Sequence, residues 1–233
     1  MLIQEIKTDL NSFESYLLFK DQPYSFFLDS GRDPDSLGRY SFIGADPLLV
    51  FTSKENEITV KTKMETKTVT GDPFVELQKL LKHYKMDYPS PFPFIGGAVG
   101  YFGYDAVRYI EPRLNNVPEA DPVGLPDIWM MLSKTVIVFD NLKDTLFLIV
   151  HADVNDAEAY FNAQLQLDAL EQLLATPVSL QAKKHSAPHF ESLTGKQKFL
   201  ESIETVKEYI RAGDVMQVVP GHRMVSDFDG EDR

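Results

Sequence analysis

Two short segments carry side chains that suit recognition of a small polar ligand. Asp29 and Ser30 follow the aromatic run Tyr24–Leu28 and offer a carboxylate and a hydroxyl to a ligand ammonium. From the residues alone we favour the alternative, a strand-ending turn in which both groups bond to backbone amides. Gln217 lies in the apolar run Val215–Val219, where alternation puts it on the face of the two terminal valines. That face either points into a core or a binding site, or is exposed to solvent, and the sequence leaves both alternatives open.

The glycine-rich stretch Phe94–Asp105 matches no phosphate-binding fingerprint. Gly97, Gly100 and Gly103 are spaced G-x-x-G-x-x-G, which is neither the dinucleotide motif nor a P-loop. We therefore predict that these glycines let one backbone pass close to another, with phosphate binding as the alternative.

The histidines show no spacing typical of a metal site. They are His83, His151, His185, His189 and His222. None belongs to an H-E-x-x-H pair or to a carboxylate cluster at metal spacing. No G-x-S-x-G elbow is present either, so nucleophilic serine chemistry has no support.

Composition limits the class of protein that positions these residues. The chain has 233 residues, 23 Lys+Arg against 35 Asp+Glu, a formal net charge of −12 and no cysteine. An acidic surface opposes nucleic-acid binding, and the lack of cysteine excludes disulfides and thiolate metal sites. The first twenty residues mix charges into every apolar run, and no stretch approaches the ~20 apolar residues of a membrane span. We expect a cytoplasmic protein without nucleic-acid or membrane partners.

The apolar patterning predicts a strand-rich region followed by a helix and one more strand. The predicted strands are Tyr24–Leu28, Arg39–Ile43, Leu48–Phe51, Ile58–Thr62, Ile128–Phe139, Thr145–His151 and Val215–Val219. The turn formers Asp140–Asp144 predict a hairpin between the fifth and sixth of these strands.

Helices are predicted from caps and from apolar spacing. Asp72 caps a helix that ends near Tyr84, and a second helix covers Ala106–Glu111. Asn155 or Asp156 caps a long helix, and its apolar side carries Tyr160, Phe161, Leu165, Leu170, Leu173 and Leu174. The last helix carries Phe199, Ile203, Val206 and Ile210 on one face and ends at Gly213.

This order of elements predicts an α+β protein. Residues 1–174 form an N-terminal antiparallel or mixed sheet domain with helices, and 175–195 form a linker. Residues 196–233 begin a second domain with one helix and one strand, which are too few to offset their own ordering entropy.

Three segments together resemble the anthranilate synthase component I and aminodeoxychorismate synthase component I family. They are Phe27–Ser30 with Gly38–Pro47, Gly96–Asp105, and Ile210–Val219, in the family's own order and along the chain to about Met224. The resemblance implies that residues 196–233 start the chorismate-binding α/β sandwich of these enzymes. It also implies chorismate as substrate, a glutamine amidotransferase partner that supplies ammonia, and Mg²⁺ bound by a region that this sequence lacks.

The resemblance also assigns roles to residues of both candidate segments. An L-tryptophan site, for an inhibitor or a structural ligand, would contain Asp29, Ser30, Arg39, Tyr40, Ser41 and Phe42. Asp29 stands where the family has glutamate. Gln217 would be catalytic: water-using relatives have lysine there as a general base, whereas ammonia needs none, so glutamine indicates amination.

The choice within the family remains open in part. Gln217–Pro220 resembles anthranilate synthase, whereas Phe27–Ser30 and the hairpin from Leu125 to Val154 resemble aminodeoxychorismate synthase. A non-catalytic tryptophan-binding module is a further alternative. Pro220–His222 departs from the family pattern, and we expect the chain to be inactive alone.

Overall fold

Antiparallel pairing of neighbouring strands organises most of the chain. The computed structural model describes residues 1–29, 38–85, 89–114, 121, 123–153, 156–178 and 188–227. Two units are formed, Met1–Val178 and Ser179–Arg233. The α+β fold class is confirmed, with antiparallel sheets and few helices. The predicted domain limits stay predictions, and part of the predicted linker lies outside the described residues.

The first sheet of the larger unit has five strands, numbered here in chain order. Across the sheet they are β1 (Leu2–Ile6), β10 (Thr145–Val150), β9 (Thr135–Asp140), β3 (Tyr40–Gly44) and β2 (Phe26–Leu28). The predicted hairpin is confirmed, because β9 and β10 pair antiparallel with Thr145 opposite Asp140. Asp144 adopts a φ of +54° in the connecting turn, a left-handed conformation that aspartate tolerates.

The second sheet of this unit also has five strands. Across it they are β6 (Thr66–Thr70), β5 (Glu57–Thr62), β4 (Leu49–Lys54), β8 (Ile128–Ser133) and β7 (Gly97–Phe102). The prediction of one strand over Ile128–Phe139 is wrong, because the chain leaves the second sheet at Lys134 and enters the first as β9. Both halves of this segment are apolar and buried, and only the short polar stretch Ser133–Thr135 between them marks the break.

Apolar side chains from both sheets pack together between them. Phe26 of β2 shares a cluster with Val50 of β4 and Met131 of β8, and Phe42 of β3 packs against it. The other face of the first sheet is covered by α1 (Ser12–Leu17) and α3 (Ala159–Leu174). The first sheet is therefore buried on both faces.

The buried side of α3 agrees with the predicted one in part: Leu174 is buried, and Leu170 and Leu173 pack against the core. Its buried residues are Ala159, Ala163, Leu167 and Leu174. Tyr160 and Phe161 are exposed instead, at 68% and 64%. The small side chains of these alanines let the helix approach the sheet closely. A prediction based on the spacing of large apolar residues does not detect them.

The remaining helix of the larger unit begins as predicted. Helix α2 covers Pro73–His83, and an Asp72 carboxylate oxygen accepts hydrogen bonds from the N–H groups of Phe74 and Val75, at 2.8 and 3.3 Å. In place of the predicted helix over Ala106–Glu111 the chain forms 3₁₀ helices at Tyr104–Tyr109 and Pro112–Leu114. Across the described ranges, no helix combines the length and apolarity needed to cross a membrane.

The glycines of β7 allow the close backbone approach that the sequence predicts. A Cβ atom added at Gly100 would lie 2.0 Å from the carbonyl oxygen of Trp129, on the neighbouring strand β8. At Gly103 the corresponding atom would lie 3.1 Å from the carbonyl oxygen of Asp127. Close backbone approach thus explains Gly100 and Gly103, whereas at Gly97 an added Cβ would meet only the Phe94 ring, at 3.9 Å, and the φ of +128° favours glycine instead.

The smaller unit contains one long helix and one short strand pair. Helix α4 (Lys196–Ala212) ends at Gly213, whose φ of +83° confirms the predicted stop. Strands β11 (Glu191–Ser192) and β12 (Met224–Val225) pair antiparallel. The predicted strand Val215–Val219 is wrong in the described structure, because a strand needs a neighbouring strand to bond with and this segment has none there.

Candidate functional site

Asp29, Ser41 and Asn141 form a directional chain of hydrogen bonds at one end of the first sheet. Strand β2 pairs with β3 so that Leu28 faces Phe42, which brings Asp29 close to Ser41. The Ser41 hydroxyl donates to Asp29 Oδ1 at 2.5 Å, and Asn141 Nδ2 donates to Ser41 Oγ at 2.9 Å. Because the hydroxyl hydrogen is directed to the carboxylate, Ser41 Oγ acts as an acceptor toward Asn141.

The amide oxygen of Asn141 is the unusual atom of this cluster. Asn141 Oδ1 is buried, and within the described ranges it has no hydrogen-bond partner. A buried acceptor normally has a donor, so this unsatisfied oxygen is a candidate acceptor for a ligand N–H group. The backbone N–H of Asn141 is already used, because it donates to the Arg39 carbonyl at 2.8 Å.

Arg39 forms a two-pronged ion pair with Asp140, the last residue of β9. Arg39 Nε lies 3.1 Å from Asp140 Oδ1, and Nη2 lies 2.6 Å from Oδ2. The backbone N–H groups of Leu142 and Lys143 also donate to Asp140 Oδ1, at 3.2 and 3.3 Å. The hydrogen bond from Arg39 holds the pKa of the Asp140 carboxyl below its usual value, against the opposing effect of burial. The guanidinium also lies over the Tyr40 ring, 4.8 Å from its centroid.

Tyr40 and Phe42 lie on the opposite face of β3 from Ser41. Tyr40 packs edge-on against Phe92 with 5.7 Å between ring centroids, and Phe42 packs edge-on against Phe94 at 5.5 Å. Both rings therefore belong to the apolar packing on the face of the sheet opposite α3. Strand alternation, which points successive side chains to opposite faces, explains the division.

The six residues predicted to bind tryptophan are thus only partly brought together. Asp29 and Ser41 are hydrogen-bonded, Arg39 is held by Asp140, and Tyr40 and Phe42 face the other way. Ser30 lies outside the described residues.

Sequence reasoning missed Asp140 and Asn141, which it treated as turn formers only. The signal that could have found them is strand register: Tyr40 pairs with Asp140, so the hairpin turn must lie beside Arg39 and Ser41. The cluster combines an exposed carboxylate with a buried amide oxygen. This arrangement suits a ligand that carries an ammonium or another N–H donor.

Gln217 lies in the smaller unit, after α4 and outside any helix or strand. Its side chain is exposed, as is that of Met216, at 99%. The described residues therefore form no enclosed site around Gln217, and its catalytic role stays a prediction.

Histidines and carboxylates of the described part do not assemble into a metal site. No group of three or more such side chains is placed there to hold an ion. His151 is buried, and its Nε2–H donates to the Ile95 carbonyl at 2.7 Å. His222 Nε2 is 2.7 Å from Ser192 Oγ, whereas His185 lies outside the described residues. The residues described here therefore do not fit the implied Mg²⁺, and no step is assigned to it.

The chain matches a known protein family over most of its length. Residues 23–233 match the model of the family described as chorismate binding enzyme. The chain is 64% identical over 218 residues to "Anthranilate synthase component 1" of Acinetobacter calcoaceticus, covering 91% of this chain and 44% of that protein. It is 37% identical over 223 residues to the protein of the same name from Pseudomonas putida, covering 91% and 45%.

A solved structure shares the fold. The crystal structure of anthranilate synthase component I from Streptococcus pneumoniae TIGR4 matches with a TM-score of 0.72 and 24% identity, covering 96% of this chain and 48% of that one. The chain thus spans about half the length of the relatives that it matches.

Proposed function

Because this chain belongs to the chorismate binding enzyme family, we propose that it forms the N-terminal half of an anthranilate synthase component I. The observation that carries the proposal is the 64% identity, over 218 residues, to the Acinetobacter calcoaceticus protein of that name. The matched stretch includes nearly all of this chain, so the likeness extends well beyond the three motifs.

The proposed reaction converts chorismate and ammonia into anthranilate, pyruvate and water. A glutamine amidotransferase partner would supply the ammonia. Gln217 would contact the incoming nucleophile, and its amide cannot take a proton from water as a lysine base would. Ammonia is already nucleophilic, so glutamine favours amination over hydration. The proposal leaves Mg²⁺ binding to residues outside those described.

We further propose that the cluster at Asp29 binds L-tryptophan as a feedback inhibitor. The Asp29 carboxylate, oriented by Ser41, would accept the ligand ammonium, and Asn141 Oδ1 would accept an additional N–H donor. Arg39 is already paired with Asp140 and 40% exposed, so its free N–H groups would reach the carboxylate of the ligand.

A hybrid enzyme tests both parts of the proposal. In it, this chain replaces the matching 218-residue segment of the Acinetobacter calcoaceticus relative. We expect the hybrid to form fluorescent anthranilate from chorismate and ammonium, and the unmodified relative gives the reference rate. If chromatography shows aminodeoxychorismate instead, the sister activity is the correct one; a folded hybrid with no product would favour a non-catalytic tryptophan-binding module.

Tryptophan inhibition of the same hybrid tests the ligand site. Asp29→Ala removes the carboxylate that would hold the ammonium, so we expect the inhibition constant to rise by about tenfold or more. Asp9→Ala removes an exposed carboxylate remote in sequence from the cluster and serves as the control. Each variant is compared with its own uninhibited rate. Equal inhibition of the Asp29→Ala hybrid and the control would refute the site.

A further inference from the structure

A second candidate site is a cleft of about 910 Å³ in the larger unit. It lies where the chain crosses between the two sheets, and both crossing segments, Ala45–Leu48 and Lys134, line it. Helix α3 contributes residues to its lining as well. Asp29, Ser41 and Asn141 do not line it, so it is distinct from the cluster described above. Its volume falls within the range of about 300–1,000 Å³ that small-molecule sites occupy.

The lining of the cleft is largely apolar. Apolar side chains come from the segment after α1, strands β3 and β9 of the first sheet, the crossing segment before β4, and α3: Phe19, Ile43, Leu48, Ile137, Leu170 and Leu173. When an apolar ligand displaces water from such a surface, the free energy of the system falls, so binding is favoured. The cleft therefore favours a ligand with an aromatic or aliphatic body.

Most of the charges at the cleft are paired within the protein. Lys63 forms an ion pair with Asp46 at 2.5 Å, and Glu65 forms one with Lys67 at 3.0 Å. Lys134 is half-buried and lines the cleft, and among the described residues its ammonium has no ion-pair partner. The site thus presents one uncompensated positive charge beside an apolar surface.

We propose that this cleft binds a small organic monoanion with an aromatic or aliphatic body. The carboxylate of the ligand pairs with the ammonium of Lys134, and the body covers the apolar lining. A neutral ligand would cover Lys134 without giving it a partner, which carries a desolvation cost. A polyanion would meet Asp46 and Glu65, which also line the cleft, and the described part of the chain offers it only the unpaired ammonium of Lys134 there. The inference does not depend on the proposed function, since it uses different residues.

Two isosteric probes test the proposal on the purified chain. Naphthalene-2-carboxylate carries the charge, and naphthalene-2-carboxamide has the same body without it. In two-dimensional ¹H–¹⁵N spectra we expect the carboxylate to shift the amides of Thr62, Lys134 and Leu170, and to bind about fivefold more tightly than the carboxamide. Raising the salt from about 0.05 M to about 0.5 M should weaken binding of the carboxylate alone.

Matched variants identify the cation. Lys134→Met should abolish the preference for the carboxylate, whereas Lys7→Met, which changes an exposed lysine that does not line the cleft, should keep it. Ala169→Trp adds a large ring at an exposed cleft-lining position of α3 and should block both probes without involving Lys134. The proposal fails if neither probe binds at millimolar concentration, if both bind equally, or if the shifts lie at Asp29 and Asn141.

Discussion

The side chains of Ser41 and Asn141 determine how the Asp29 carboxylate is presented. Ser41 is completely buried, yet its hydroxyl is satisfied on both sides, as donor to Asp29 and as acceptor from Asn141. A relay of this kind fixes a carboxylate that otherwise stands at the exposed end of a strand. The residues of the proposed ligand site thus come from the end of β2, from β3 and from the hairpin turn after β9.

Asp140 should contribute stability that depends on pH. Its folded pKa lies below the usual value, chiefly because Arg39 donates hydrogen bonds to it. The contribution is therefore complete above the ordinary aspartate pKa of about 3.9 and is lost as the pH falls through the folded value. Asp140→Asn should lower the free energy of unfolding by about 1–2 kcal/mol near neutral pH, and by less in acid. Urea denaturation measures the difference.

Asp144→Asn is the matched control for that substitution. Asp144 lies in the same turn, is exposed and has a positive φ that asparagine also tolerates. An Asp140→Asn variant as stable as this control at neutral pH would show that the ion pair with Arg39 adds nothing.

His151 should make the protein less stable in mild acid. Burial lowers its pKa, with a smaller opposing effect from its hydrogen bond to Ile95. The unfolded chain therefore binds a proton that the folded chain does not, and stability falls as the pH drops through about 6.5 toward the folded pKa. His151→Gln keeps a donor for Ile95 but removes this titration. We expect its urea midpoint to fall less than that of the parent between pH about 7.5 and about 5.5.

The exposed His189 provides the control for this effect. His189→Gln should show the same fall in midpoint as the parent protein. If His151→Gln also behaved like the parent, the buried imidazole would not be the group responsible.

At the scale of elements, strand β7 depends on having no side chain at Gly100. A methyl group there would overlap the Trp129 carbonyl, a backbone atom that moves only if β7 and β8 separate. Gly100→Ala should therefore destabilise the protein by about 1–3 kcal/mol, which lowers the melting temperature by several degrees. Calorimetry or thermal circular dichroism measures the shift.

Gly71→Ala controls for the change of residue type. An added Cβ at Gly71 would meet nothing within 4 Å. We expect a melting temperature close to that of the parent. A similar melting temperature for both variants would contradict the account of the β7–β8 contact.

The elements that could be predicted from sequence are those with local signals. Asp72 followed by proline marks the start of α2, and the turn formers after Asp140 mark the hairpin of β9 and β10. The break at Lys134 has only a weak local signal, the short polar stretch Ser133–Thr135 between two apolar strands. The strand predicted at Val215–Val219 has the right residue types, but pairing decides whether a strand forms.

For the candidate site, the sequence supplied Asp29 and Ser41 but not their partner Asn141. Asn141 lies 100 residues from Ser41 along the chain, so only the pairing of β3 with β9 brings the two together. The side of β3 on which Tyr40 and Phe42 lie was likewise set by packing between the sheets, which residue types alone do not encode.

On the scale of the whole molecule, the two units carry the two parts of the proposed function. The larger one, Met1–Val178, has a core formed by both sheets and α3 and contains the cluster at Asp29. The smaller one contains α4, none of whose residues is buried, and the exposed Gln217. The relatives that this chain matches are about twice as long, so catalysis is proposed only for a protein that includes both halves.

The most direct test of the central claim is the product that the hybrid enzyme forms from chorismate and saturating ammonium. With Gln217 in place, we predict anthranilate at a rate comparable to that of the unmodified relative. With Gln217→Lys, we predict that anthranilate formation falls at least about a hundredfold, because the amine then acts as a base toward water. A folded hybrid that forms no anthranilate, or a Gln217→Lys hybrid that forms it at the parent rate, would contradict the account.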